Sequence, residues 1–428
     1  MAWTRTCRPS SSPAARRTSR ASRRGGCQRS SCSTANSSRS PPDAGALQPP
    51  QEQGETMPQK IRLGFIGANI RSNWASESHF PAIAASPDVE LTAVCTTNPV
   101  SAEEARQALG ARLAFSDYRE MVRSDAIDAV VVVVRVPSHY ETTMAAIEAG
   151  KHVYTEWPLG ATTAQAEELA NAAAARGLVT ATGLQARVTP ELMHMRRLID
   201  DGAIGSVLAC HVSCFRPGPL ERLAKRTWTR DVTLGANPLT IQAGHILDTL
   251  RFVAGEPVGL QAVVTTQSKQ WYQTDTQKMV DVTAPDNILV NARLTGGAIA
   301  SMHVANVPFA PSGYRMEVYG SKGSLIVAHP ISSNHGNILL KGTAGGKTLE
   351  ALAVPAGFAE VPAEFPGGPP HAVGQMYALF ARAIRGGRIP ARLPTFATAV
   401  ELHHLLDVIR AASATGGIVD VPASALRA

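Results

Sequence analysis

From residue 60 onward, short apolar runs alternate with amphipathic stretches. The runs at 61–66, 89–95, 129–134, 152–155 and 178–183 have the length and β-branched content of buried strands. Between them, 79–85, 101–109, 118–123, 139–149 and 164–176 carry apolar residues at helical spacing. Strand and helix alternating at this interval predict βαβ units and a parallel sheet with both faces covered.

Beyond about residue 185 the rhythm slows. A helix is expected over 190–201, then longer β-type runs at 206–215, 259–266, 287–294, 298–306 and 314–319, with turns such as Gly296-Gly297 and Ser321-Lys322-Gly323. This pattern predicts a second, α+β domain with a mostly antiparallel sheet. The stretch 239–252 is helical, 330–370 is Gly/Pro/Ala-rich and loop-like, and 375–384 and 396–415 read as closing helices. The boundaries that follow are 1–58 for a basic extension, 59–184 for the parallel sheet and 185–428 for the second domain.

Charge changes the picture in one place. Residues 1–57 hold nine Arg, no Lys and three acids, so they carry +6 of the net +7 of the 428-residue chain. The remainder has 32 basic and 31 acidic residues, which gives the folded body no electrostatic reason to bind nucleic acid or an anionic membrane. The Ser/Arg/Pro-rich extension lacks periodic apolar residues and is expected to be disordered. It resembles an organelle transit peptide, or else it is an unstructured addition ahead of Met57. No run of 18 apolar residues exists, and few cysteines point to a reducing compartment, so a cytoplasmic protein is expected. In Cys210-His211-Val212-Ser213-Cys214, strand alternation sets His211 opposite the two cysteines, which favours buried small residues over a zinc site.

The first strand runs into Gly64-Phe65-Ile66-Gly67-Ala68-Asn69, where a dinucleotide fold places its phosphate turn. Only Gly67 of the glycine fingerprint is present; Asn69 and Ser72 stand at the other two positions. The second strand ends at Thr96-Thr97-Asn98, with hydroxyls and an amide where a carboxylate selective for NAD normally sits, so NADP is admissible. A polar turn explains these residues equally well.

Ala149-Gly150-Lys151-His152-Val153-Tyr154-Thr155-Glu156-Trp157-Pro158 is the most specific block. Here the chain resembles the glucose-fructose oxidoreductase and inositol dehydrogenase (Gfo/Idh/MocA) family, and the likeness extends in order from about Lys60 to Gly205 and more weakly beyond. Val136-Pro137-Ser138-His139, Gln185-Ala186-Arg187, Gly235-Ala236-Asn237 and Gly244-His245-Ile246-Leu247-Asp248 resemble the branch of that family containing a fungal galactose-regulon repressor. The resemblance implies a Rossmann domain binding NAD or NADP, and an open second sheet that often forms a homodimer or higher homo-oligomer. It implies cofactor contacts at Gly67, Asn69, Ile70, Trp74, Thr96, Asn98, Val136, Pro137, His139, Glu156 and Gln185. It implies substrate contacts at Trp157, Arg187, Trp228, Asn237 and Asp248.

Two family residues are replaced. The family's Lys in E-K-P is Trp157, and its D-x-x-x-H motif reads Ile241-Gln242-Ala243-Gly244-His245, which keeps only the His. His245 is therefore the candidate acid/base, against the alternative of a packed histidine satisfied by a neighbour such as Asp248. Arg187 is either an anion or polyol contact or an interdomain ion pair. Trp157-Pro158 is a candidate cis peptide. The expected activity is NAD(P)-dependent hydride transfer with a sugar, inositol or related polyol; the alternative is a catalytically silent, nucleotide-sensing regulator.

Overall fold

A computed structural model describes residues 59–71, 74–423 and 426. The basic extension, Ser72 and Asn73 lie outside the described residues. Six strands form the first sheet: β1 (Ile61–Ile66), β2 (Val89–Cys95), β3 (Leu113–Phe115), β4 (Ala129–Val132), β5 (His152–Glu156) and β6 (Thr180–Gly183), in the order β3-β2-β1-β4-β5-β6. Every neighbouring pair is parallel. The order reverses direction between β1 and β4, which opens a crevice at the carboxyl ends of the strands. β3 is the strand the pattern does not announce: three half-buried residues carry no alternation to read.

The helices of this layer are α1 (Phe80–Ala85), α2 (Pro99–Leu109), α3 (Tyr118–Val122), α4 (His139–Glu148) and α5 (Thr163–Ala175), followed by α6 (Pro190–Asp200). The second layer holds β7 (Val207–Pro217), β8 (Glu221–Arg222), α7 (Gly244–Ala254), β9 (Pro257–Thr265), β10 (Gln270–Gln273) and β11 (Lys278–Asp281). β12 (Asn287–Leu294), β13 (Ile299–Val307), β14 (Gly313–Gly320), β15 (Gly323–His329), β16 (Leu339–Ala344), β17 (Glu350–Ala351) and β18 (Val419–Asp420) complete it. Nine of these strands run β17-β16-β15-β14-β7-β13-β12-β9-β18. All pairs are antiparallel except β7 with β13. β16 lies inside the segment expected to be loop; its Leu339-Leu340-Lys341-Gly342 is masked in sequence by the glycines around it but is held by β15.

Alternation along β7 buries Cys210, Val212 and Cys214 against α7 and leaves His211 exposed, its Nδ1 2.8 Å from the Ser301 hydroxyl. Burial pushes the Cys210 and Cys214 thiols up to about 12 and about 11, so both behave as small hydrophobes.

Two closing helices complete the body, α8 (Pro369–Gly386) and α9 (Phe396–Thr415). α9 starts on a Thr395/Thr398 capping box and stops at Gly416 with φ +69°. α8 returns to the first sheet: Tyr377 and Phe380 join Phe65, Phe80 and Tyr154 in one apolar cluster. Each such aromatic contributes roughly 1.5–3 kcal/mol over leaving it exposed. Among the described residues no helix is long and apolar enough to cross a membrane.

Candidate functional site

Two π turns, Ala75–His79 before α1 and Leu239–Ala243 before α7, lead into the crevice from opposite layers. Such turns add a residue to the helical repeat and redirect side chains, and they concentrate at functional sites. The first delivers His79, the second Gln242 and then His245.

Glu156 ends β5 with its carboxylate facing Gly183 of the neighbouring strand, where a Cβ would collide with it. Its Oε1 accepts from Gln185 Nε2 at 2.7 Å and from the Tyr154 hydroxyl at 3.2 Å, and lies 3.1 Å from His79 Nε2. An ionised carboxylate only accepts, so His79 Nε2 carries the proton. His79 Nδ1 lies 2.7 Å from the Tyr377 hydroxyl, which brings α8 into the network. Burial pushes the Glu156 carboxyl up, but the His79 hydrogen bond and charge outweigh it and hold the group below its ordinary range. The carboxylate is charged at neutral pH.

His245 is 7% exposed, and its Nδ1 is buried with no hydrogen-bond partner. Burial lowers its pKa to about 4, against the raising effect of Glu156 and Asp248. The ring is therefore neutral and can accept a proton. Asp248, the neighbour expected to satisfy it, is instead ion-paired with Arg187: Arg187 Nε donates to Asp248 Oδ2 at 3.0 Å and Nη2 to Oδ1, both side chains being under 4% exposed. The interdomain ion pair is thus the geometry found for Arg187 and Asp248.

Three other expected substrate contacts are engaged within the protein. Trp157 is 4% exposed, donates Nε1–H to the Thr240 carbonyl at 2.8 Å, packs on His403 and leaves no room for a Cβ at Gly244. The Trp157-Pro158 bond is cis. An indole so enclosed braces the π turn that carries His245; as a correction, it does not present a face to open space. Asn237 Oδ1 accepts from the Leu239 and Thr240 N–H groups and so caps that turn. Trp228 lies under the Arg135 guanidinium, 5.1 Å from its ring centroid.

In the phosphate turn, Gly67 adopts φ +89° and lies against the Val133 carbonyl, where a side chain would collide. Asn69 Oδ1 accepts from Arg71 N at 2.9 Å, and Ile70 offers its carbonyl to Ser76. Trp74 Nε1 and Gln185 Oε1 are buried without a partner, Trp74 with its ring 6.4 Å from that of His79 and Gln185 bonded through Nε2 to Glu156. These orphaned donors and acceptors fit a dinucleotide. At the end of β2, Thr96 bonds Ser101 and the Asn98 carbonyl, and Asn98 caps α2. Val136 and Pro137 form a short 3₁₀ turn at the exit of β4. His139 is a brace: its nitrogens lie 2.6 Å from the Pro158 carbonyl and 3.2 Å from that of Val134, and burial lowers its pKa.

Sequence reasoning missed His79, Tyr377 and Gln242, the last with Oε1 buried and unpartnered three residues before His245. It also missed His335, whose ring lies 5.9 Å from that of Trp74, and Arg216 on β7. A cleft of about 700 Å³ opens at the amino ends of β1, β4 and β5, but Arg62 there is paired with Asp128, and Lys151 with the Ser124 and Ile127 carbonyls.

Comparison with known proteins places both layers of the chain in one family. An oxidoreductase family with an NAD-binding Rossmann fold matches residues 61–184, and the GFO/IDH/MocA C-terminal domain matches 192–326. The chain is 31% identical over 294 residues to 1,5-anhydro-D-fructose reductase of Ensifer adhaerens, covering 67% of this chain and 82% of the relative. It is 27% identical over 313 residues to the galactose/lactose metabolism regulatory protein GAL80 of Saccharomyces cerevisiae, covering 69% of each. The fold is that of levoglucosan dehydrogenase solved with NADH and L-sorbose, at TM-score 0.74 and 22% identity, covering 85% of this chain and 99% of that one.

Proposed function

The chain belongs to the Gfo/Idh/MocA oxidoreductase family with its NAD-binding Rossmann domain, and we propose on that premise that it oxidises or reduces a carbon–oxygen centre of a sugar or related polyol. The observation that carries this reading is His245, neutral and with an unpartnered buried nitrogen, beside an ionised Glu156 in a crevice with further unpartnered polar atoms on Trp74, Gln185 and Gln242. NAD or NADP supplies the hydride acceptor or donor when bound. His245 takes the hydroxyl proton, and the Glu156 charge steadies the imidazolium that results. No lysine is needed for that proton, and Trp157 cannot exchange one. In this reading Gly67, Asn69 and Ile70 hold the pyrophosphate side, Thr96 and Asn98 the adenosine ribose, and Trp74, Val136, Pro137, Glu156 and Gln185 the nicotinamide. His139, Trp157, Arg187, Asn237 and Asp248 position these groups, and Trp228 walls the substrate end.

The substrate class is supported by the reductase relative that acts on an anhydro sugar. A homodimer through the outer face of the second sheet is supported by exposed Val263 and Leu289, paired across β9 and β12, and by exposed Ile299. The test is a screen of sugars and polyols with both nucleotides, read by nicotinamide absorbance. His245→Ala is expected to lose about 10²–10⁴-fold in turnover, while Trp157→Phe, which keeps the packing against Gly244 and His403 but loses the bond to the Thr240 carbonyl, is expected to lose less. Equal losses in the two variants would remove the proton role from His245. A second reading, a nucleotide-sensing regulator like the GAL80 relative, is favoured by the buried Trp157 at the family's lysine position. Saturable nucleotide binding with no turnover across the screen would select it.

A further inference from the structure

The cation expected to meet an anionic ligand, Arg187, is neutralised by Asp248. Arg216 is not. It lies at the end of β7 on the face shared by Cys210, Val212 and Cys214, which packs toward α7. Its cross-strand partner is Asn306 of β13, which carries no charge. Asp286, the acid that precedes β12, gives both carboxylate oxygens to the Gln267 and Ser268 N–H groups. Among the described residues no carboxylate pairs with Arg216, and its half-buried guanidinium is depressed by burial with only the Cys214 thiol opposing. A guanidinium withdrawn from water without a counter-charge is costly, so a site that keeps one has a use for it.

Its surroundings belong to the substrate end of the crevice. Cys214, two residues earlier on the same face, meets the Ile331 carbonyl at 3.8 Å, and the turn Ser333–His335 just beyond packs on α7 through the Ser333 and Thr249 hydroxyls, 3.4 Å apart. In that setting the Arg216 charge adds to burial in lowering the pKa of both His245 and His335, the latter to about 4. His335 stacks on His329 and meets Trp74 edge-on, so the imidazoles form a neutral wall beside the cation. The nearby acids are engaged elsewhere: Asp248 by Arg187, and Glu156 Oε1 by Tyr154, Gln185 and His79. His245, more than nine-tenths buried with Nδ1 unpartnered, is the second sign of a missing ligand.

We propose that Arg216 binds an anionic group of the substrate, so that the molecule presented to His245 is a sugar acid or a sugar phosphate and not a neutral polyol. The proposal rests on the oxidoreductase reading for its placement of the reacting hydroxyl. A planar carboxylate, or two oxygens of a phosphate, matches the two-pronged face of the guanidinium.

The test uses the full chain with NAD⁺ or NADP⁺ as hydride acceptor and a panel of uronates, aldonates and sugar phosphates, each against its neutral parent sugar. The acidic member is expected to be turned over in preference to the neutral one. Arg216→Gln is expected to lower kcat/KM for it by about 10–100-fold, mainly through KM, and to collapse the acid-to-neutral ratio. Arg216→Lys, which keeps the charge, is expected to recover part of that ratio. Unaltered melting temperature and nucleotide affinity control for folding. If nothing in the panel is turned over, the oxidoreductase reading fails, and the anion site is judged by calorimetric titration of D-glucuronate, D-glucose 6-phosphate and D-glucose into the nucleotide-loaded chain. Binding of either anion that Arg216→Gln abolishes and Arg216→Lys retains supports the site, and the stronger ligand identifies its anion. No preference for acid over neutral in either turnover or binding, or a preference that survives Arg216→Gln, overturns it.

Discussion

His245 and His403 are both buried and both shifted down, to about 4 and about 3, with burial as the leading cause. In the unfolded chain each returns toward the ordinary histidine value of about 6.5. The unfolded state therefore binds more protons between those values, and the two rings contribute stability that is complete above about pH 6.5 and lost as pH falls through their folded pKa values. Glu156, held below the ordinary carboxylate range, acts in the same direction. The expected outcome is a urea midpoint that declines steadily from about pH 7 to about pH 4.5, with a shallower decline in His403→Phe. A midpoint independent of pH would contradict the burial of these rings. His245 was legible in sequence because its motif survives in part. The pairing of His79 was not: His79-Phe80 shares in the family resemblance, but its partner Tyr377 is 298 residues further along the chain and sits in no recognisable pattern. Arg216 escaped for a smaller reason. The apolar run ends at Phe215, whereas the ladder with β13 continues to Pro217.

The paired π turns show what an amphipathic pattern does and does not reveal at the level of elements. The stretch 239–252 reads as one helix, and helix it is, but the extra residue over Leu239–Ala243 rotates everything after it. No spacing rule marks that rotation in sequence, because Asn237 fixes it through a cap and Trp157 through a hydrogen bond from another layer. α9, by contrast, is legible to its last residue, since its cap and its terminal glycine are local signals. The same dependence decides what happens when the family's lysine is restored. Trp157→Lys removes a buried indole and its bond to Thr240, and places an ammonium where Gly244 and His403 leave no counter-charge. The substitution is expected to cost about 3 kcal/mol or more by chemical denaturation and to leave turnover no higher than in the parent chain. A stable Trp157→Lys variant with raised turnover would mean that the pocket still accommodates the lysine mechanism.

Over the whole molecule, the rhythm of strand and helix was sufficient to predict a parallel sheet followed by an antiparallel one, because each βαβ unit is written within a short stretch. Where the last helices would dock was not written there. α8 belongs by position to the second domain but packs into the first, and Tyr377 ties it to His79 and through His79 to Glu156. Tyr377→Phe is accordingly expected to cost about 1–2 kcal/mol by denaturation and also to weaken nucleotide affinity, although α8 lies more than a hundred residues beyond the sheet it completes. Loss of stability with unchanged affinity would confine the hydroxyl to packing. The return of α8 also sets a schedule for biosynthesis. A ribosome adding roughly 5–20 residues per second finishes β6 on the order of ten seconds or more before α8 has been made. Through that interval the nascent first sheet displays the apolar surface around Phe65, Phe80 and Tyr154 that α8 will cover, so the emerging chain is a client for chaperones until its final helices leave the exit tunnel.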